Sequence, residues 1–492
     1  MRRHSYGPSW TLPRIAGPAA ALALALAAGC SPAADTADTD GAADAAARAP
    51  TGLVADYQPA ADRILAAALA DSAAWKRLAE LTDRFGSRFS GSQSLEQALD
   101  WILAEMEADG LDNVHEEPVM IPHWVRGEES ADLVEPRRVD LPMLGLGGSI
   151  ATPPGGIEAE VLVVNDYADL EQHATDARGK IVLFDVPFTN YGETVQYRTN
   201  GASAAAKAGA VASLIRSVAS YSMKTPHTGA MRYEDGVTKI PHAAITVEDA
   251  AMLHRMQDRG ERIVVRLRMS ARTLPDVPSR NVMGEITGSE FPDQVIVMGG
   301  HSDSWDVGTG AMDDGGGVVA AWEAIRILKD LGLRPKRTIR AVGWVNEENG
   351  LRGGNAYRDA HADELDSHVL AIESDEGVFR PLGFSFSGSD SAYRVIRNVA
   401  SLLAGFGADS VTRGGGGADI GPIMNEGVPG MSPRVDGSRY FWYHHSDADN
   451  VDKLDPVDVA RVTAAMAIMA YVVADLPEPL PRAATDANGT DN

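Results

Sequence analysis

The sequence predicts an α/β protein: a largely parallel sheet with helices on both faces, interrupted by a β-rich unit. From Ser279 onward, apolar strand-like runs alternate with helical spacing. Residues 294–298, 338–345 and 369–372 read as strands, and 315–331 as a helix with Val318, Val319, Trp322, Ile325 and Leu328 on one face. Strands separated by helices favour parallel pairing. Between about 130 and 275 the texture changes to short β-type runs at 159–164, 180–184, 210–215 and 243–247. These are joined by Gly-rich turns and one helix, 200–208.

The remaining elements follow in chain order. Arg2, Arg3 and Arg14 flank an Ala/Leu run at 16–28 that ends in Gly29-Cys30. This pattern has the charged region, apolar region and cleavage site of an export signal over 1–30. The run is too short to span a membrane comfortably. Leu26 to Cys30 looks like a bacterial lipobox, with Leu one place early, which predicts a periplasmic or cell-envelope protein lipid-anchored at Cys30; an ordinary secretory signal is the alternative. Residues 31–52 are Ala, Asp, Thr, Gly and Pro, too polar and small to offset their ordering entropy, and read as a tether. Helical spacing recurs at 60–81, 94–109 and 456–476, and 479–492 reads as a disordered tail.

With 492 residues, two domains are the natural expectation. The net charge of −25 argues against nucleic acid, or an anionic membrane surface, as a partner. The one cysteine, Cys30, allows no internal disulfide, so packing must hold the fold.

Five acidic or histidine clusters fall where strands end or helices begin: His301-Ser302-Asp303, Asp313-Asp314, Glu347-Glu348, Glu373-Ser374-Asp375 and His444-His445. Ligands of open α/β sheets bind outside the carboxyl ends of the strands, so these distant residues should converge on one crevice. Adjacent carboxylates at Glu347-Glu348 are costly unless a cation needs them. Nitrogen and carboxylate donors without cysteine suit zinc, with manganese or cobalt as alternatives. Two divalent ions would balance three carboxylate ligands and one hydroxide, which favours two metals over one. Each residue alone has a plainer reading: Asp313 or Asp314 as a helix cap, and His444-His445 as a surface pair. The set of five is what the plain readings do not explain.

The stretches His301 to Asp306, Gly310 to Gly317, Asn346 to Gly350 and Glu373 to Asp375 resemble metallopeptidase family twenty-eight, the zinc aminopeptidase and glutamate carboxypeptidase family. Together with Pro122 to Ser130, they most resemble its plasma glutamate carboxypeptidase branch. The resemblance spans about 55–478. It implies a zinc exopeptidase fold, a mixed sheet with a parallel core flanked by helices. The peptidase domain would be discontinuous, 53–129 and 276–478, with 130–275 resembling a protease-associated insert. It also implies a set of roles. His301 and Asp375 would hold one zinc ion, Glu348 and His445 the other, and Asp313 would bridge both. Glu347 would be the general base, and Asp303 a carboxylate orienting His301. The Asp313-Asp314 peptide would be cis, and a homodimer is implied.

The expected function is a dizinc exopeptidase acting on short peptides or dipeptides. An aminopeptidase or a small-molecule amidohydrolase would share the metal core, and a receptor-like binding protein without catalysis would have lost its ligands. Arg413 and Arg434 are loose candidates for binding a substrate carboxylate.

Overall fold

The computed structural model describes residues 52–482. The expected export signal, Cys30 and nearly all of the expected tether lie outside the described residues, as do residues beyond 482.

Among the described residues, two eight-stranded sheets organise the fold. In the first the spatial order is Asp112–Val125, Arg272–Ile286, Arg337–Trp344, Phe291–His301, His368–Glu373, Gly430–Val435, Pro381–Ser387 and Ser410–Arg413. Its four central strands, Arg337–Trp344 to Gly430–Val435, run parallel. The two strands before them, and Pro381–Ser387 after them, pair antiparallel, so the sheet is mixed around a parallel core.

Strand alternation sets its two faces. Ile296 and Met298 enter a core shared with the helices Gly316–Asp330 and Pro456–Asp475, whereas Val295 and Val297 pack against Tyr357, Ile420 and Ile423 on the opposite face. Helix Pro456–Asp475 begins at Asp455, whose side chain accepts from Val457 N at 2.8 Å, with proline in the first turn where no amide proton is needed. It is long and apolar enough to cross a membrane, but 78% of its most apolar window is buried inside the protein, which makes it a core helix. The helical stretch expected at 60–81 is two helices, Leu53–Asp71 and Ala73–Phe85, broken at Ser72 with φ +56°.

The second sheet lies between Glu129 and Met269. Its centre is also parallel: Ile157–Val164, Ile181–Phe184, Ala212–Arg216 and His242–Ile245, with antiparallel strands at the edges. Here Val161 and Val163 pack with helix Val247–Asp258, and Leu162 and Val164 with helix Tyr191–Lys207. The stretch expected to be β-rich is therefore an α/β layer with three helices; the spacing at 200–208 predicts only the second half of Tyr191–Lys207. Asp112–Val125 and Arg272–Ile286 pair antiparallel along their length and carry the chain out to this second sheet and back.

Candidate metal centre

The parallel core brings the acidic clusters to one end. His301 closes strand Phe291–His301 and lies in register with Trp344, which closes the neighbouring strand. Asn346 follows with φ +68°, a left-handed turn that asparagine tolerates, and this swings Glu347 and Glu348 across the strand end. Asp375 follows strand His368–Glu373, and His445 follows the short helix Tyr440–Tyr443.

Asp313 and Asp314 sit in the turn before helix Gly316–Asp330, joined by a cis peptide. Asp314 points inward and accepts from His301 N at 3.0 Å and Gly317 N at 3.1 Å. A Cβ at Gly300 would come within 2.0 Å of its carboxylate, so this close approach requires glycine there.

The side chains meet around Asp313. His301 Nε2 lies 3.3 Å from Asp313 Oδ1 and 3.3 Å from Asp375 Oδ1. His445 Nε2 lies 3.2 Å from Asp313 Oδ2 and 3.1 Å from Glu348 Oε2. Two triads with atoms within 4.8 Å of one another can be drawn, His301–Asp313–Asp375 and Asp313–His444–His445. His444 is the weaker member: it stands 3.6 Å from Asp313 Oδ2 and stacks on His445 with ring centres 3.6 Å apart. His445 touches two carboxylates, and it is the better donor on geometry.

Several of these atoms lack partners. His301 Nε2, Asp313 Oδ2 and Glu348 Oε1 are buried with no hydrogen bond. Buried polar atoms in that state are costly, and bound cations would satisfy them. The carboxylates also repel one another. Burial, then Asp375, Asp313 and Asp303, push Glu347 up to about 8. Burial and Asp313 likewise hold Glu348 well above the carboxylate range. Burial works on Asp313 too, but the imidazoles of His301 and His445 outweigh it and keep that carboxylate well below the usual value. The donor set fits zinc: imidazole nitrogens and carboxylate oxygens, with no sulfur.

Asp303 is buried, but it orients His301 by a different atom from the one expected. The Asp303 main-chain carbonyl lies 2.9 Å from His301 Nδ1, whereas its carboxylate stands 3.8 Å away. That carboxylate instead accepts from the amides of Glu347 at 3.1 Å and Glu348 at 3.4 Å, and from Ser90 Oγ at 3.3 Å.

A cavity of about 410 Å³ opens over the cluster, lined by Glu347, Asp375, Tyr440 and Phe441 and, from the second sheet's unit, by Tyr191 and Arg198. A larger hollow, about 700 Å³, lies between helices of that unit near Tyr167 and Lys207 and contains none of the clustered donors, so size is no guide to the site here. Arg413 is exposed and pairs with Asp390, and Arg434 donates to Ser410 Oγ at 2.9 Å; the 410 Å³ cavity is lined by neither. The arginine at the cavity is Arg198, which no motif marks in the sequence.

A family model described as peptidase family M28 matches residues 281–470. Carboxypeptidase Q of Mus musculus is 49% identical over 432 residues, covering 87% of this chain and 92% of the relative. The chain belongs to peptidase family M28. Human carboxypeptidase Q is similar at 51% identity, covering 84% of this chain and 88% of its own length. A solved M28 peptidase precursor from Shewanella amazonensis SB2B superposes with a TM-score of 0.83 at 36% identity, covering 87% of this chain and 98% of that one. As an M28 member, the protein is an enzyme, a metallopeptidase of the exopeptidase kind.

Proposed function

We propose that this enzyme is a dizinc exopeptidase that hydrolyses dipeptides or short peptides. The observation that carries the reading is Asp313, whose two oxygens face His301 and His445 separately, each within 3.3 Å. His301 and Asp375 would hold one zinc ion, Glu348 and His445 the other, and Asp313 would serve both. Bound zinc supplies a Lewis acid that acidifies water and polarises a carbonyl.

The chain's own groups supply the rest. Glu347 lines the cavity beside both triads and would take the proton from the attacking water, then return it to the leaving amine. Asp303 fixes the Glu347 and Glu348 amides, which keeps the base and a ligand in place together. The walls formed by Tyr191, Tyr440 and Phe441 would exclude bulk water and limit substrate length.

The carboxypeptidase Q relatives support peptide substrates. An aminopeptidase or an amidohydrolase would use the same metal core. The stretch from 130 to 275 would be a protease-associated insert. The arginine-flanked apolar run before Cys30 supports export, with lipid attachment at Cys30 or, alternatively, secretion. A homodimer rests on the family resemblance.

A panel of free dipeptides, amino-blocked peptides and carboxyl-blocked peptides, assayed with and without chelator, tests this reading. Free dipeptides should be cleaved, chelation should abolish cleavage, and zinc should restore it. Hydrolysis that survives chelation overturns the metal mechanism. Loss of cleavage only on amino-blocking identifies an aminopeptidase, and turnover of doubly blocked amides an amidohydrolase.

A further inference from the structure

One loop of the second sheet's unit reaches the metal centre through the main chain. His227 lies between strands Ala212–Arg216 and His242–Ile245 and is buried. Its Nδ1 is 2.6 Å from the main-chain oxygen of His444, and its Nε2 has no hydrogen-bond partner. The single ring proton therefore sits on Nδ1 and is donated to that carbonyl. The next residue engages the next histidine twice. Thr228 N donates to His445 O at 2.9 Å, and His445 Nδ1 stands 3.4 Å from Thr228 O. Two consecutive residues thus hold two consecutive carbonyls of the loop that carries His445.

That loop needs an external restraint. His445 has φ +60°, a left-handed conformation that a side chain bearing a Cβ adopts at a cost, so surrounding contacts must fix it. The restraining residues are themselves anchored. His227 N donates to Ser217 Oγ at 2.9 Å, and Ser217 Oγ donates to Ile245 O at 2.8 Å, which ties the loop to the second sheet. Thr228 Oγ1 donates to Gly145 O at 2.9 Å. Arg198 Nη1 stands 3.3 Å from His445 Nδ1, while its Nη2 donates to Tyr191 Oη at 2.7 Å and its Nε to Ala230 O at 3.3 Å.

We propose that His227 is a positioning residue for the metal centre: its bond to the His444 carbonyl sets the main chain that carries His445, and so the place of Nε2 opposite Asp313 and Glu348. The inference rests on the two-ion reading above. It gives the inserted unit a part in metal binding in addition to lining the cavity.

Two substitutions separate this role from packing. His227→Asn keeps an N–H donor near the position of Nδ1 but loses ring volume. His227→Phe keeps the ring and loses the donor. The full chain is stripped with chelator, checked by circular dichroism, and titrated with zinc against a chromophoric competitor. Wild type should take up two ions. His227→Phe should bind the first as wild type does and the second about 10-fold more weakly, the low end of the cost of losing an outer partner, because His227 reaches the ligand through the adjacent main chain. His227→Asn should stay within about threefold of wild type at both. At limiting zinc, the phenylalanine variant should lose kcat with little change in KM and recover at saturating zinc. His227→Leu, smaller and also without a donor, carries the same expectation if the phenylalanine variant does not fold. Tight binding of the second ion by the donor-free variants, or equal weakening in Asn and Phe, overturns the proposal. A wild type that holds a single ion overturns the two-ion reading, and this inference with it.

Discussion

The two sheets have the same plan, with four parallel strands at the centre and antiparallel strands at the edges, but opposite charge chemistry at their carboxyl ends. In the first sheet, Asp313, Glu347, Glu348 and Asp375 crowd together with imidazoles as their near neighbours. In the second, the buried carboxylate Asp185 follows strand Ile181–Phe184 and is matched on the spot, by Arg216 at 3.1 Å and His254 at 2.7 Å. The parallel sheet offers a place to bind, and unbalanced charge is what marks it as used. A charge matched locally calls for no further partner, whereas a surplus left standing points to a cation.

The strongest test of the contrast is Glu347→Gln. Removing the proposed base should lower kcat by about 10²–10⁴-fold while zinc content, measured by elemental analysis, stays at the wild-type level. Near-normal turnover would return Glu347 to the status of one more crowded carboxylate. Metal removal comes next. A ligand that binds only the folded state stabilises it, by about 4 kcal/mol at a thousandfold excess over Kd, so chelation should lower the unfolding midpoint and zinc should restore it. An unchanged midpoint would mean that the surplus charge is tolerated without an ion.

The third test uses a feature the sheets share. His242 opens a central strand in the second sheet and His368 one in the first, and burial pushes both down to about 4 from the ordinary 6.5. The unfolded chain binds protons at pH 6.5 and below that the folded histidines refuse. The stability they contribute is therefore full above pH 6.5 and lost as pH falls toward 4. On the order of 2 kcal/mol should be lost per histidine by pH 5, read by urea denaturation, and His242→Gln or His368→Gln should each flatten that slope. The smallest effect is expected from Asp185→Asn. Breaking its pairs with Arg216 and His254 should cost about 1–3 kcal/mol and leave zinc content and kcat unchanged. A catalytic defect there would erase the distinction between the sheets.

The first sheet was more legible in the sequence than the second, and for physical reasons. Two of its core strands, Arg337–Trp344 and His368–Glu373, are buried along their whole length, and an acidic pair lies at or just beyond the end of each. The antiparallel strands Asp112–Val125 and Arg272–Ile286 were hidden by Pro118, Pro275 and Pro278, which weaken a strand pattern read from one chain segment at a time. Only the second half of helix Tyr191–Lys207 is legible, because Gly192 and Thr194 dilute the propensity of its first half, while burial of Ala202 and Ala205 against the sheet holds it in place. The five acidic and histidine clusters could be picked out because they fall at strand ends or beside helix starts, and the choice of His301, Asp313, Glu347, Glu348, Asp375 and His445 within them came from the family resemblance. Arg198, His227 and Thr228 come from a different sheet altogether, and their contacts with His444 and His445 span more than two hundred residues. No local pattern encodes such a contact. It exists only once both sheets have folded.

The paired strands that bear the second sheet have a consequence for how the molecule can be rebuilt. Val125 lies opposite Arg272, so the polypeptide departs and returns at a single point. Everything between could be exchanged for another domain without rethreading the hydrolytic half. If His227 positions His445 as proposed, a successful graft would have to offer an N–H to each carbonyl of the histidine pair, and it would also have to replace the cavity wall that Tyr191 and Arg198 form.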